Sequence, residues 1–430
     1  MRDAVILLAL VVAGACALKR PWIGVLGWTL FSLMSPHVQF GYAAAGWPVA
    51  IGFAICTLIG LLITKDRQNP MAGAPVWWLL AFVAWICITL PFSIFFDQSY
   101  LLWERSIKIF LMVFVTLALI TDKRKLEGFM WICVVSVAYY GVKGGIFTIL
   151  TGGNHRVWGP GGFIEGNNEV ALAVITIIPL MRYLQTQMTN QRAKMVMSGS
   201  MALCVVMALG TYSRGAIVGL GAMGIFFWMK NKNKTQWGLS ILIILVLGLS
   251  LMPDQWWDRM NTIKSYESDA SSMGRINAWR MAFNLAMDRF FGGGFMVWER
   301  SVFQIYAPVP EDVHAAHSIY FQIMAEHGFL GLFLWLGIGI ATWMVARDLI
   351  KVGRANEQFV WAAQLGSMLQ VSMIGYGAAG AFLSLAYYDL PYNVMVMAVV
   401  AKRHLQSEQL KYQIKQVKTT MFVNTFKSGE

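Results

Sequence analysis

The sequence predicts an all-α polytopic membrane protein with twelve or thirteen transmembrane helices. Of the 430 residues, 57% are hydrophobic and only 13% are charged, and the mean hydropathy is +0.56. This composition excludes an ordinary soluble domain. Apolar stretches of about 15 to 25 residues, the length that crosses about 30 Å of hydrocarbon as a helix, recur along the whole chain.

Thirteen apolar segments are candidates for membrane-spanning helices. The first two are short and could form a shallow or re-entrant pair, which would reduce the number of spans to twelve. All five cysteines lie inside such segments, so no disulfide is expected. We also expect the first helix to remain uncleaved. In chain order the segments are residues 3–18, 21–36, 48–64, 75–96, 105–120, 128–150, 168–186, 195–212, 215–229, 237–253, 318–346, 358–382 and 388–401.

The distribution of basic residues tests this topology, because cytoplasmic loops of membrane proteins are enriched in Lys and Arg. In this chain 22 of the 34 basic residues fall in every second connection, including "LKRP", "TDKRKLE" and the tail after Ala401. The alternation predicts a cytoplasmic C-terminus, and an external N-terminus if all thirteen segments span. The net charge of +12 then reflects orientation and contact with the lipid bilayer, and a nucleic-acid partner is not expected.

One long connection divides the chain into four parts. We predict an N-terminal transmembrane bundle at 1–253, an external loop at 254–317, C-terminal transmembrane helices at 318–403 and a cytoplasmic tail at 404–430. The loop is far longer than an ordinary connector, which indicates a function. Its aromatic content argues against disorder.

Within this loop, residues 272–291 have the pattern of an amphipathic helix. Apolar side chains recur at steps of three and four residues, which predicts that they form one buried stripe against the outer mouth of the bundle. The glycines of "FFGGGF" are expected to end this helix. The stripe consists of Ile276, Trp279, Phe283, Met287 and Phe290.

Arg214 lies at a predicted external turn, in "TYSRG", where the orientation rule does not explain a charge. Ser213 is a plausible N-cap for the next helix, with Arg214 in the first turn. A helix N-terminus already carries partial positive charge, so a cation there indicates a bound anion such as a phosphate. The alternative is an arginine that reaches lipid headgroups.

Two of the arginines on the predicted amphipathic helix are further candidates. Arg275 shares the predicted buried stripe and is a second candidate for phosphate binding, although it could instead bond to carbonyls or to Asp269 at the helix end. Arg280 is five residues further on, which is about 140° around the helix, so the two cannot hold one ligand from the same face. Arg280 is therefore a weaker binding candidate, with a solvated side chain as the alternative.

Three other basic residues are candidates for substrate binding. Arg156 belongs to the external segment "RVWGPGGFIEGNNE", for which the alternative is a plain turn that ends in a helix cap. Lys108 and Lys143 lie slightly inside the apolar zone, where a charge is costly and often functional, unless the side chain reaches the interface.

The segment "EDVHAAHSIYFQIMAEHGFLGL" holds three histidines. His317, at the mouth of the next span, is a candidate general base, because nearby arginines would keep its imidazole neutral. His314, one turn earlier, is a candidate for substrate binding. His327 is deeper and more typical of a core histidine. A metal site that includes Asp312 is not expected, because the spacing matches no strong zinc pattern.

The order of "YSRGA", then "GRINAWRMAF" and "FFGGGF", then "HSIYFQIMAEHGFLGL" resembles the O-antigen ligase and O-antigen polymerase superfamily. The upstream "GPGGFIEGNNEVALAVITIIPL" is similar to the O-glycosylation ligase subgroup. The resemblance covers about residues 1–400. Many relatives have an asparagine after the histidine, whereas this chain has Ser318, so that position receives no role.

The resemblance implies a bundle of about twelve spans of the GT-C glycosyltransferase type in the bacterial inner membrane. It implies transfer of a glycan from undecaprenyl diphosphate to lipid A–core on the periplasmic face, with inversion and without a cofactor or metal. Arg214 and Arg275 would bind the diphosphate, and His317 would be the catalytic base. A repeat-unit polymerase or a protein O-oligosaccharyltransferase would use the same donor, and a lipid-linked sugar flippase is an alternative of another class.

Overall fold

The computed structural model describes residues 2–40, 46–230, 233–261 and 270–427. Regular structure in these ranges is helical, with no strand. The α-helices are α1 (Arg2–Lys19), α2 (Pro21–Leu33), α3 (Pro36–Phe40), α4 (Val49–Ile63), α5 (Ala74–Thr89), α6 (Phe96–Leu119), α7 (Lys123–Leu150), α8 (Asn167–Gln187), α9 (Gln191–Gly210), α10 (Arg214–Lys230), α11 (Lys234–Ser250), α12 (Asp254–Asn261), α13 (Ala270–Asp288), α14 (Arg300–Tyr306), α15 (Ile319–Ala355), α16 (Val360–Gly380) and α17 (Asp389–Lys427).

Several of these helices can cross a membrane. Among the described residues, α5, α7, α8, α9 and α15 are long and apolar enough, and α11 with α12 forms one further pair that is bent by 110°. Each of the thirteen predicted segments coincides with a helix. The all-helical class is therefore confirmed, and the apolar helices support a multi-pass membrane protein. The count of twelve or thirteen spans and the boundaries of the four predicted parts stay predictions.

Helix α8 is the most enclosed candidate span, with 78% of its most apolar window buried. Small residues let its neighbours approach one another closely. A methyl group added at Gly145 of α7 would lie 2.2 Å from the carbonyl oxygen of Leu203 in α9. The same change at Gly366 of α16 would place it 2.5 Å from the carbonyl oxygen of Ala346 in α15. Close packing at small side chains is typical of helix contacts in membranes.

Helix α13 occupies the predicted amphipathic segment. The predicted burial of its stripe is wrong for the last three members, whereas Ile276 and Trp279 are half-buried. Phe283, Met287 and Phe290 are exposed by 48%, 67% and 65% of their surface. Three alanines and two aliphatic residues are buried instead, and the small alanines let α13 lie close against α15. The buried residues are Ala278, Met281, Ala282, Leu285 and Ala286.

The exposed aromatic residues of α13 continue an exposed surface of α15. The rings of Phe283 and Phe329 meet at a centroid distance of 5.7 Å, and Phe329 is itself 41% exposed. An interfacial amphipathic helix presents bulky apolar side chains to lipid in this way.

The "FFGGGF" segment ends α13 as predicted and also docks it onto α15. Gly328 interrupts α15 with a positive φ of 69°. Opposite this kink, the amide of Gly293 donates to the carbonyl of Ala325 at 2.9 Å, and that of Gly294 donates to Glu326 at 2.9 Å. The loop is thereby fixed on the span that follows His317.

His327 is a core residue, as predicted. Its side chain is fully buried, and Nδ1 lies 2.8 Å from Oγ1 of Thr89. The indole of Trp85 donates to its carbonyl oxygen at 2.9 Å. Packing and hydrogen bonding therefore account for a histidine at this position.

Candidate functional site

The fold brings Arg214, Arg275 and His317 together, although they lie on three separate segments. Nη1 of Arg214 donates to Oγ of Ser272 at 3.3 Å, and Ser272 is one helical turn before Arg275. The charge of Arg275 acts in turn on the His317 imidazole. This hydrogen bond and this electrostatic interaction place the three residues in one cationic cluster formed by α10, α13 and the residues just before α15.

Arg214 owes its position to the local structure of the turn before α10. Oγ of Ser213 accepts a hydrogen bond from the amide of Ala216 at 3.2 Å, so the predicted N-cap is confirmed. Arg214 is the first residue of α10, and the helix N-terminus therefore adds its own partial positive charge to the guanidinium. An anion is the ligand that such an arrangement favours.

His317 is held from both sides just before α15 begins. Its φ of +43° is uncommon for a residue with a side chain and requires support from neighbouring contacts. The indole of Trp279 in α13 donates to the carbonyl of Ala316 at 2.7 Å. The same indole stacks on Phe321 of α15, with ring centroids 5.0 Å apart and planes only 5° from parallel. The imidazole position is thus fixed by both helices.

The surroundings of His317 keep it neutral. Burial first, and the charges of Arg275 and His314 second, lower its pKa from the ordinary 6.5 to about 4. Nδ1 is buried and has no hydrogen-bond partner among the described residues. A buried ring nitrogen without a partner is uncommon and indicates a place where a ligand or a proton is exchanged.

His314 belongs to the same cluster. Its ring packs against Gly274, where an added methyl group would lie only 2.5 Å from Nδ1. Nδ1 is 2.8 Å from Oδ1 of Asp312. The side chain of Asn277 fixes this segment to α13, since Nδ2 donates to the carbonyls of Val309 and Asp312 at 2.8 and 2.9 Å.

Glu169, which was not among the predicted site residues, lies in the first turn of α8 and interacts electrostatically with Arg275. The loop before α8 is also tied to the turn that carries Arg214. Nδ2 of Asn167 donates to the carbonyl of Thr211 at 2.7 Å, and the amide of Val157 donates to Gly210 at 3.0 Å. An acidic residue that opens an apolar span, as in "IEGNNEVALA", was the available signal for Glu169.

The weaker candidates lie at different distances from this cluster. Arg156 is exposed and lies over the Tyr212 ring at 5.4 Å, next to the Arg214 turn. Arg280 is exposed and lines a groove on another face of α13 with Phe283 and Pro308.

The two lysines are also outside the cluster. Lys143 is exposed on α7, 5.9 Å from the Tyr139 ring. Lys108 pairs with Glu104 at 2.5 Å and lines a separate cavity. The structure therefore groups His314 with the three main residues, places Arg156 at their edge and separates the other three candidates.

An apolar groove of about 340 Å³ begins beside His317 and runs between α15, α16 and the start of α17. Ile319 and Tyr320 form the end near the histidine, and Thr342 and Trp343 form the far end. Ile340 in its lining is 62% exposed, so the groove opens sideways on the bundle surface. Such a groove suits a long hydrocarbon chain.

Two family models match parts of the chain. Residues 199–336, which contain Arg214, Arg275 and His317, match a family model described as O-antigen ligase. Residues 1–189 match a family of unknown function, DUF5935. No curated protein matches the sequence.

Proposed function

Because the chain belongs to the O-antigen ligase superfamily, we propose that it is a glycosyltransferase that acts on a lipid-linked glycan. In this proposal, the donor is a glycan on undecaprenyl diphosphate and the acceptor is lipid A–core oligosaccharide. Transfer occurs on the periplasmic face of the inner membrane, with inversion and without a metal. The fold is a GT-C bundle of about twelve spans.

The observation that carries this proposal is the convergence of two arginines and a neutral histidine. A lipid diphosphate is an activated leaving group, so catalysis mainly requires stabilisation of charge on the departing oxygens and removal of a proton from the attacking hydroxyl. Arg214 and Arg275 serve the first purpose, because guanidinium groups bind phosphate oxygens in a bidentate manner. His317 serves the second.

The low pKa of His317 is compatible with this role. In the free enzyme the histidine is neutral at pH 7 and can accept a proton. A bound diphosphate would offset the charges of Arg275 and His314, and the basicity of His317 would then rise when substrate is present. The groove that begins at Ile319 would receive the polyprenyl tail of the donor.

Purified protein in nanodiscs, incubated with undecaprenyl-diphosphate glycan and either lipid A–core or a polypeptide acceptor, tests the proposal. We expect transfer to lipid A–core. Transfer only to the polypeptide would identify a protein glycosylating enzyme, and elongation of the donor glycan a polymerase. Movement of donor across the bilayer without transfer would identify a flippase.

The pH dependence of transfer provides a separate test of His317. We expect kcat/KM, which reports groups of the free enzyme, to stay level from neutral pH to about 5 and to fall near pH 4 as His317 is protonated. Replacing His314 with asparagine removes one of the charges that lower the pKa, so the acid limb should move to higher pH. If the acid limb of the kcat/KM profile of the wild-type protein lay near pH 6.5, the environment assigned to His317 would be contradicted.

Acid unfolding must be separated from this effect. Because the folded state resists a proton that the unfolded state accepts, stability contributed by neutral His317 is lost as the pH falls from 6.5 through about 4. An unchanged near-UV circular-dichroism spectrum at pH 4, with full recovery of activity after return to pH 7, would show that the limb reports catalysis.

A further inference from the structure

Besides the apolar groove, the protein has a polar cavity of about 290 Å³, which lies apart from the arginine cluster. It is enclosed by α2, α6, the glycine-rich turn before α8 and the residue that precedes α17. Its lining combines two cations with aromatic and hydroxyl side chains, namely Arg105, Lys108, Trp28, Phe163, Tyr388 and Ser32. This volume is near the lower end of ligand pockets, which run from about 300 to 1,000 Å³.

Tyr388 indicates that the cavity receives a ligand. Its side chain is only 2% exposed, and its hydroxyl has no hydrogen-bond partner among the described residues. A buried phenol usually finds a partner, because leaving the hydroxyl unpaired costs about 1–3 kcal/mol. A ligand hydroxyl would satisfy it.

Arg105 is oriented by stacking on an aromatic ring. Its guanidinium carbon lies 3.8 Å from the centroid of Phe163. Since the N–H groups lie in the guanidinium plane, stacking by the face leaves these donors directed past the ring edge. Asp389, a buried carboxyl group that accepts a hydrogen bond from Oγ of Ser32 at 3.0 Å, also interacts electrostatically with Arg105.

One loop separates this cavity from the arginine cluster. Gly161 and Gly162, with φ of 118° and 67°, line the cavity. The same loop is tied through Val157 to the turn before Arg214, and it leads into Glu169 beside Arg275. The cavity and the arginine cluster therefore border the same loop.

We propose that this cavity is a saccharide subsite that binds one sugar residue of a substrate glycan. The aromatic rings of Trp28 and Phe163 suit the apolar face of a pyranose, and Arg105, Ser32 and Tyr388 suit its hydroxyls. A second diphosphate fits less well, because Asp389 offsets the charge of Arg105. The inference rests on the proposed function, and the sugar belongs either to the donor glycan or to the acceptor.

Binding measurements distinguish these sources. The probes are core oligosaccharide released from lipid A by mild acid, and undecaprenyl-diphosphate glycan, each titrated into full-length protein in nanodiscs. We expect Tyr388→Phe to weaken binding of one probe about three- to tenfold, and Arg105→Gln to weaken it about ten- to a hundredfold. An effect on the core oligosaccharide identifies the acceptor sugar, and an effect on the other probe the donor sugar.

The matched control is Tyr100→Phe, on the exposed surface of the same α6 helix, which should leave both affinities unchanged. Tyr388→Phe removes a buried hydroxyl without a partner among the described residues, so its thermal stability should equal or exceed that of wild type. Unchanged affinity for both probes in Tyr388→Phe and Arg105→Gln would overturn the subsite, even if wild-type protein transfers glycan. Weakened binding with no transfer by wild-type protein would support the subsite and refute the proposed function.

Discussion

Replacement of Arg275 by alanine is expected to reduce the kcat/KM of glycan transfer about 100- to 1,000-fold. This is the usual loss when one preorganised electrostatic contact to the developing charge is removed. Arg275→Lys should recover only part of the activity, because an ammonium acts as a point charge and cannot form the bidentate pair. Single-turnover transfer from undecaprenyl-diphosphate glycan measures the effect.

Two further variants make this result specific. Arg300→Ala, on α14, removes an exposed arginine that pairs with Glu311 and should leave transfer unchanged. His317→Ala should cause a loss of similar size to that of Arg275→Ala, and the double variant should lose less than the product of the two, because residues that act on one transition state are not additive. Full activity in either single variant would refute the site assignment.

Replacement of Gly292 by alanine is expected to destabilise the protein strongly. Gly292 has a φ of 70°, and an added methyl group would lie 2.6 Å from the amide nitrogen of Gly328. Gly328 faces it with a φ of 69°, and its own methyl group would lie 2.3 Å from the carbonyl oxygen of Phe290. Backbone strain of about 1–3 kcal/mol adds to overpacking of about 1–3 kcal/mol. Gly328→Ala should behave in the same way.

Thermal unfolding in detergent, followed by size-exclusion chromatography, measures this loss. Gly339→Ala is the matched control. Gly339 is on α15, as Gly328 is, and an added methyl group there would meet nothing within 4 Å. It should be neutral or slightly stabilising, since alanine is the better helix former. If Gly292→Ala unfolded at the same temperature as Gly339→Ala, the docking of the "FFGGGF" segment onto α15 would not be a structural requirement.

Much of the fold follows from local patterns. Apolar runs of spanning length predict helices wherever they occur, and each of the thirteen segments is helical in the structure. The capping hydroxyl of Ser213 and the glycines after α13 also act within a few residues. Such features can be predicted from the sequence because their physical cause lies in neighbouring residues.

Contacts between segments that are far apart in the chain are harder to predict from the sequence. Phe283, Met287 and Phe290 are exposed rather than buried, because in a membrane bulky apolar residues can face lipid and small ones the protein. Periodicity shows that Phe283 and Met287 share a face but not which environment meets it. Glu169 and Tyr388 were overlooked because one acquires its role only beside Arg275 and the other only inside a cavity.

The sequence by itself determined the helical class, the membrane setting and the residue types that suit a phosphate and a proton acceptor. These properties depend on composition and on spacing along one helix, and both can be read from the sequence without the tertiary structure. Only the tertiary structure decided that Arg214, Arg275 and His317 share one cluster while Arg280 and Lys108 lie elsewhere. The reason is that a site joins segments far apart in the chain, and their approach depends on packing surfaces such as Gly274 against His314 and Trp279 against Phe321.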